Sequence, residues 1–244
     1  MSGQGRGGSP GVEPAAATEP LTQGQGAAYF ELMTSILRRP LRYRFYNATI
    51  ILIVVNVLVF LLGFVGLQRT IQAYLGLTPV LVLQAGAWWQ PFTYMFVHAG
   101  WWHIFFNMLT LFLFGMQLEQ RMGSSEFLLL YFISGLGAGL FTLFFNTITN
   151  QGMVSVVGAS GAIYGLLLAF AAFFPDTRIF VFGIIPMRAP VAVAVFAGIE
   201  IVSQFASFQS GVAHLTHLAG LLFAWLYLVV HLGMHPAALF SRRR

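Results

Sequence analysis

The sequence contains no cysteine and very few charged residues, and both shortages limit what the protein can be. The lack of cysteine excludes disulfides, thiolate metal sites and a cysteine nucleophile, and it leaves the redox compartment undetermined. Charged residues make up only 8% of the 244 residues, whereas a soluble domain carries roughly 25%. So few charges cannot cover a water-facing surface, and 58% of the chain is hydrophobic. We therefore expect an integral membrane protein.

Lysine is also absent, so all 12 basic side chains are arginines. The net charge of +5 and the isoelectric point near 10.0 would suit a protein that binds nucleic acid. The arginines, however, mostly flank apolar runs, where they anchor the topology of membrane segments. We therefore expect the lipid bilayer, and no nucleic acid, as a partner.

Composition divides the chain into four parts. Residues 1–28 are rich in glycine, proline, alanine and glutamine, which predicts a disordered N-terminal tail that lacks the apolar core of a signal peptide. Residues 29–46 are a basic juxtamembrane lead-in and residues 47–233 a membrane domain. Residues 234–244 are predicted to be a basic cytoplasmic C-terminal tail.

Six apolar segments of the membrane domain are each near the ~20 residues that cross ~30 Å of hydrocarbon. They cover residues 47–66, 102–121, 125–146, 158–174, 189–207 and 213–233. The first connection, 67–101, is rich in tryptophan and too apolar for an ordinary aqueous loop. The sequence therefore predicts an all-α, polytopic membrane protein: a bundle of six transmembrane helices with a long, partly membrane-embedded first loop.

The arginines predict the orientation of this bundle. Four of them lie in residues 38–44, directly before the first segment, three end the chain, and Arg121, Arg178 and Arg188 fall in loops on the same side. The loops of the opposite side hold only Arg69. Because arginine is enriched in cytoplasmic loops, we expect both termini in the cytoplasm. The fourth segment then begins at the outer face of the membrane.

The fourth segment opens with VVGASGAIYG, in which Ser160 is held between Gly158 and Gly161. Such a serine is either a nucleophile or one more small residue that lets two helices touch. Gly161 and Gly165 lie on one helical face and would allow a neighbouring helix to approach closely.

The sixth segment supplies a possible base for this serine. His217, Gly220 and Ala224 form a small-residue stripe, and His214 lies three residues before His217. If this stripe faces the glycines of the fourth segment, His217 meets Ser160 near the outer end of both helices. A serine needs an adjacent base to become a useful nucleophile, and histidines are the bases at that depth.

No carboxylate is expected to orient such a histidine. Glu119, Glu126 and Asp176 fall at cytoplasmic ends of segments, and Glu200 in the fifth segment either pairs with a histidine or snorkels to the membrane surface. The prediction is therefore a serine–histidine dyad rather than a triad. A metal site is not expected either, because H-E-x-x-H spacing is absent.

Three further polar residues have two interpretations each. His103 and Asn107 share one face of the second segment. They either form interhelical hydrogen bonds or donate hydrogen bonds to a substrate oxygen. Tyr164, one turn after Ser160, either holds the imidazole or packs in the core. His98 ends the first loop, where tying the loop to a neighbouring backbone is favoured over chemistry.

Taken together, these motifs resemble the rhomboid family of intramembrane serine proteases. HAGWWHIFFN is similar to the family's H-x4-H-x3-N pattern, GASG to its G-x-S-G, and HLAGLLFA to its sixth-helix histidine segment. FGMQLEQRMG resembles the end of its second helix, and the resemblance runs from about 47 to 233. One departure concerns the first loop, where Gln90 follows Trp89 although the family commonly has arginine.

The resemblance implies a water-accessible cavity that opens outward and a reaction on transmembrane segments of substrate proteins. Ser160 would attack the scissile carbonyl, and His217 would accept and return the proton. Asn107, His103 and the Ser160 amide would form the oxyanion hole, with His98, Tyr164, Gly158 and Gly161 in support. No cofactor is implied. Because no transit peptide precedes the segments, we expect a bacterial plasma membrane.

Two other functions remain open at this stage. A catalytically silent relative would bind transmembrane helices for quality control or trafficking, but it has no physical need for both the serine and the histidine. A transporter or channel would use the polar cluster as a pathway, but the polar residues gather near one face of the membrane instead of forming a continuous file.

Overall fold

A computed structural model describes residues 38–181, 183–206 and 211–234. The described part is mainly helical. In chain order its helices are α1 (Ala48–Leu62), α2 (Gln68–Leu75), α3 (Pro79–Ala85), α4 (Gln90–Thr93), α5 (Trp101–Thr110), α6 (Met116–Met122), α7 (Ser124–Ile148), α8 (Ser160–Phe173), α9 (Ala189–Ala206) and α10 (Gly211–Leu226).

The two predicted tails cannot be compared with this structure. The N-terminal tail 1–28 lies outside the described residues, as does all of the C-terminal tail except Met234. Of the basic lead-in 29–46, only the part from Arg38 onward is described, and it is exposed and without regular structure before α1.

Three helices in the described ranges are long and apolar enough to cross a membrane: Trp101–Met122, Ser124–Ile148 and His214–His231. The first is α5 and α6 joined by a π turn, and the last is α10 continued by another π turn. Helices α1, α8 and α9 are also apolar but shorter. An integral membrane protein is therefore supported, whereas six crossings remain a prediction.

The surface of the bundle fits a lipid environment. Trp102, Val202 and Phe205 expose 73%, 67% and 76% of their area although all are strongly apolar. Such large exposed apolar surfaces are unusual on a soluble monomer and are expected where lipid replaces water.

The mainly helical structure agrees with the predicted all-α class, and a short hairpin between α8 and α9 is the exception. Strands β1 (Arg178–Val181) and β2 (Ile185–Arg188) form an antiparallel hairpin in which Arg178 pairs with Arg188. Its turn contains Gly183 at a φ of +73°, a conformation that glycine adopts without steric penalty. These residues are too few to form another helix across the bilayer, and β-pairing satisfies their backbone groups instead.

The first connection contains helices α2, α3 and α4, and Gln90 ties them together. The Gln90 side chain is 1% exposed. Its oxygen accepts the Thr78 N–H at 3.0 Å, and its nitrogen donates to the carbonyls of Ala73 at 3.1 Å and Tyr74 at 3.3 Å. The residue that departs from the family's arginine thus supplies both donor and acceptor bonds to the loop.

Helices α7, α8 and α10 pack most extensively against one another, and α9 packs against α10. Small residues allow this approach. A Cβ on Gly220 would collide with the carbonyl of Gly161, and one on Gly165 would meet Ser134 of α7. Between α7 and α10 the hydroxyls of two buried threonines, Thr142 and Thr216, lie 2.7 Å apart.

Candidate active site

The segment before α8 is held by the first connection. Leu77 and Val156 form an isolated antiparallel bridge, with each N–H donating to the other's carbonyl at 2.9 Å. Two residues later the Gly158 N–H donates to the carbonyl of Tyr94, also at 2.9 Å. These bonds fix the backbone at the point where Ser160 begins α8.

Gly158 has two reasons to be glycine. Its φ is +124°, a conformation that side chains rarely adopt, and an added Cβ would lie 2.6 Å from Nε2 of His103. The glycine therefore lets the backbone turn into α8 while the His103 ring closes over it. Ser160 follows at the first position of the helix, where backbone N–H groups lack intrahelical partners.

Ser160, His217 and Glu200 form a continuous hydrogen-bonded chain across three helices. The Ser160 Oγ lies 2.8 Å from Nε2 of His217. On the other side of the ring, Nδ1 of His217 lies 3.0 Å from Oε1 of Glu200. An ionised carboxylate can only accept, so this contact places the proton on Nδ1 and leaves the Nε2 lone pair facing the serine.

The expectation that no carboxylate orients this histidine is therefore wrong. Helix α9 runs toward the same end of the bundle at which α8 begins, so Glu200 reaches the depth of Ser160. The signal was present in the sequence, because a lone acid inside an apolar helix is a functional-site candidate by default. The sequence did not show how α9 is rotated, and this rotation turns the face that carries Glu200 toward α10.

Glu200 is 5% exposed and has other partners besides His217. The Tyr164 hydroxyl donates to the same oxygen, and Nδ1 of His214 contacts the other oxygen. Tyr164 also stacks flat on the His217 ring, with the centroids 4.4 Å apart and 5° between the planes. The imidazole is thus held by a face-on stack and by an edge-on hydrogen bond.

A cavity of about 120 Å³ opens beside the serine, large enough for several waters. Hydrolysis needs water, which the hydrocarbon core does not supply. The cavity is lined by Tyr94, His103, Val156, Val157, Gly158, Ser160, Thr216 and His217.

His103 lines this cavity, and His98 packs against the His103 ring. The Ala99 N–H points at Nδ1 of His103, at 3.4 Å, and the His98 ring meets the His103 ring edge-on with the centroids 5.0 Å apart. His98 itself is buried, and its carbonyl accepts from Gln68 of α2. Burial, aided by the neighbouring His103, lowers the pKa of His98 to about 3, so the ring is neutral at physiological pH.

Asn107 is placed differently from His103. Its Nδ2 donates to the His103 carbonyl at 2.8 Å, one turn earlier on the same helix. Among the described residues Asn107 does not line the cavity. Because an amide nitrogen has two N–H groups, one of them stays available to a substrate oxygen.

Three side chains of the site have the chemistry of metal ligands. Glu200, His214 and His217 each offer one ligand atom, and these atoms all lie within 4.8 Å of one another. The sequence argument against a metal considered ligands on one helix only, whereas these come from α9 and α10.

The known proteins to which this chain is similar belong to one family. A family model described as the Rhomboid domain matches residues 85–233, more than half of the chain. The chain is 32% identical over 134 residues to mitochondrial rhomboid protein 1 of Saccharomyces cerevisiae, a match that covers 54% of this chain and 38% of that protein. It is 36% identical over 94 residues to rhomboid protease AarA of Providencia stuartii, covering 34% of each.

A plant relative matches as well. RHOMBOID-like protein 1 of Arabidopsis thaliana is 46% identical over 79 residues, which are 32% of this chain and 19% of that protein. In all three cases the match spans less than two thirds of the relative's length. Relatives from a mitochondrion and a plant stand beside the bacterial one, so the similarity does not support the expected bacterial membrane.

Proposed function

The chain belongs to the rhomboid family, and we propose that it is an intramembrane serine endopeptidase that cleaves peptide bonds in or near transmembrane segments of other membrane proteins. The observation that carries this proposal is the chain of contacts from Ser160 through His217 to Glu200, which begins beside a cavity large enough for several waters. A nucleophile, a base and a group that orients the base are the parts that acyl transfer requires.

In the proposed acylation step, Ser160 Oγ attacks the carbonyl carbon of the scissile bond. His217 Nε2 accepts the serine proton as the Oγ–C bond forms, and Glu200 stabilises the resulting imidazolium through Nδ1–H. When the C–N bond breaks, the imidazolium gives its proton to the leaving amine. The product is an acyl-enzyme and a free amine-ended fragment.

Deacylation repeats these roles with water from the cavity as the nucleophile. His217 takes a proton from the water, the tetrahedral intermediate collapses, and the proton returns to Ser160 Oγ. Charge on the oxyanion in both steps would be met by the Ser160 N–H, the His103 ring and the second N–H of Asn107. The partial positive charge at the N-terminus of α8 acts in the same direction.

The proposed setting is a six-span bundle with both termini in the cytoplasm. The arginine distribution then puts the hairpin β1–β2 inside and the N-terminus of α8 outside. The active site would open to the extracytoplasmic side, where a transmembrane substrate could enter once its helix unwinds.

A catalytically silent, helix-binding relative is the second candidate. The name of the plant relative, RHOMBOID-like protein 1, states no activity and leaves this candidate open. Packing alone does not require a serine hydroxyl at 2.8 Å from an imidazole that is itself bonded to a carboxylate.

The test of the proposed function is cleavage of a helix-destabilised transmembrane substrate by the purified full chain in detergent. Ser160→Ala should abolish cleavage and labelling by a serine-directed phosphonate while leaving the thermal unfolding temperature unchanged. Ser155→Ala, at an exposed serine five residues earlier, is the matched control and should cleave normally. Equal cleavage by Ser160→Ala, or a wild-type chain that neither cleaves nor is labelled, would overturn the proposal in favour of the silent relative.

A further inference from the structure

Glu200, His214 and His217 are arranged as a ligand set and not merely as a hydrogen-bonded cluster. His214 and His217 lie three residues apart on α10, so both rings leave the same face of the helix. Each presents Nδ1 to a different oxygen of Glu200 on α9. The ligand atoms of the three residues are all within 4.8 Å of one another, the spacing of atoms that share one small cation.

The chemistry of this set suits a borderline transition-metal cation. Two imidazole nitrogens and one carboxylate oxygen are a ligand set that proteins use for Zn²⁺, with a fourth position left for water. Nitrogen ligands favour Zn²⁺, Cu²⁺, Ni²⁺ and Co²⁺ over Mg²⁺ and Ca²⁺, which prefer oxygen.

The cluster is also both enclosed and reachable. The Glu200 side chain is 7% exposed, while His214 and His217 keep 23% and 18% of their side-chain area accessible. The negative charge of the carboxylate compensates for the hydration that a cation loses on leaving water, and the exposed edges of the rings provide a path for the ion.

We propose that these three residues form an inhibitory binding site for Zn²⁺ or a similar divalent transition-metal ion. The proposal rests on the proposed proteolytic function in one respect only, namely that His217 is the catalytic base. The binding of the metal itself is independent of that function.

Inhibition follows from the tautomer of His217. Catalysis needs the proton on Nδ1 and a lone pair on Nε2 that faces Ser160. A metal on Nδ1 uses the Nδ1 lone pair, so the ring proton must move to Nε2. In that state Nε2 can only donate to the serine and cannot accept its proton. The cation also occupies the Glu200 oxygen that would stabilise the imidazolium.

Metal binding is measured first, without reference to activity. The full chain is purified in detergent with a histidine-free affinity tag and titrated with Co²⁺, whose visible absorption reports nitrogen and oxygen ligation, and then with Zn²⁺, which should displace it. We expect one equivalent to bind to the wild type and to Ser160→Ala. His214→Asn should weaken binding at least about tenfold, the scale on which metal sites respond even to lost supporting contacts.

The variants separate a ligand from a structural hydrogen bond. Asparagine at position 214 can still donate an N–H to Glu200 from the place of Nδ1, so the carboxylate keeps that partner. His231→Gln is the matched control, because His231 also meets a glutamate, Glu126, with Nε2 and Oε1 2.9 Å apart near the other end of the same helix. This control should bind Co²⁺ as the wild type does.

Cleavage is then measured with and without Zn²⁺. For each variant we compare the rate with Zn²⁺ divided by the rate without it, so changes in basal turnover cancel. The ratio should fall at least tenfold for the wild type and for His231→Gln, recover on adding a chelator, and stay near one for His214→Asn. No cobalt spectrum, or equal inhibition of His214→Asn, would overturn the metal site. A chain that binds the metal in Ser160→Ala but never cleaves would contradict the proteolytic function and leave the binding site standing.

Discussion

Glu200 accepts hydrogen bonds from side chains of two neighbouring helices. Tyr164 of α8 and His217 of α10 meet one oxygen, and His214 of α10 meets the other. A buried carboxylate with this many donors is held in one position. It can therefore hold His217 in the tautomer that general-base catalysis needs, which is the role of the acid in a Ser-His-Asp triad.

Glu200→Gln should lower kcat by a factor of up to about 10⁴, as happens when the orienting acid of a serine protease becomes an amide. The amide can donate to Nδ1, which favours the tautomer with the proton on Nε2. The KM should change little, because Glu200 does not line the cavity among the described residues. Steady-state kinetics on a transmembrane substrate, together with thermal unfolding, measure both effects.

Tyr164→Phe is the matched control for this variant. It removes one donor to Glu200 but keeps the ring that stacks on His217. We expect a loss of turnover well below that of Glu200→Gln. If both variants lose equal activity, or if Glu200→Gln changes only the unfolding temperature, the orienting role is wrong.

Asn107 provides a second prediction at this scale. Its bond to the His103 carbonyl is local to one helix, and such membrane hydrogen bonds contribute about 0.6 kcal/mol on average. Asn107→Ala should therefore leave the unfolding temperature nearly unchanged while lowering kcat by roughly 10²- to 10³-fold, the effect of one lost oxyanion donor. A large thermal shift with normal turnover would return Asn107 to a packing role.

At the scale of elements, the approach of α8 to α10 brings the serine and the histidine together. Gly220 lies one turn after His217, and its Cα faces the carbonyl of Gly161 so closely that a Cβ would collide with it. Backbone on both sides leaves no flexible side chain to yield. Any added atom must push the two helices apart, and Ser160 and His217 with them.

Gly220→Ala should therefore both destabilise the bundle, by about 1–3 kcal/mol as for an overpacked core, and remove most of the cleavage activity. Gly198→Ala on α9 is the control, because a Cβ there meets no atom of the described residues within 4 Å. It should keep activity and gain slightly in stability, since alanine is the better helix former. The close contact would be contradicted if the Gly220→Ala chain had the same unfolding temperature and the same cleavage rate as the wild type.

The first connection depends on Gln90 in a similar way. Gln90→Ala would leave the Thr78 N–H and two carbonyls without their partner, and each buried unsatisfied group costs about 1–3 kcal/mol. We expect faster hydrogen exchange across residues 67–101 and a lower unfolding temperature. Gln84→Ala, at an exposed position of α3, should change neither, and equal exchange in both variants would show that Gln90 does not tie the loop.

At the scale of the whole molecule, the absence of cysteine makes the topology directly testable. Met153, before α8, and Ile184, in the hairpin turn, are 76% and 79% exposed. The arginine distribution predicts that they lie on opposite sides of the membrane. Met153→Cys in intact cells should react with an impermeant maleimide, whereas Ile184→Cys should react only after the membrane is opened. Labelling of both from one side would overturn the six-span arrangement.

Much of the site was readable from residue spacing, for physical reasons. Ser160, His217 and Tyr164 were selected because polar groups in an apolar helix are expensive and helical periodicity puts them on definable faces. The hydrogen-bond partners of Gln90 and Glu200 were not predicted. Which side chains meet across helices depends on the rotation of each helix about its axis, and hydropathy does not encode that rotation. The hairpin β1–β2 was missed because a loop of a dozen residues carries little periodicity.

The sequence by itself determined the solvent of this protein and excluded cysteine chemistry. With 8% charged and 58% hydrophobic residues the chain must turn apolar surface toward lipid, and without cysteine it has no thiolate nucleophile or thiolate metal ligand. Tertiary structure alone decided that Glu200 contacts His217 and that Glu200, His214 and His217 from two helices bring their polar atoms within 4.8 Å of one another. These contacts depend on how α9 and α10 are rotated and pressed together, a property of packing between helices that no single helix contains.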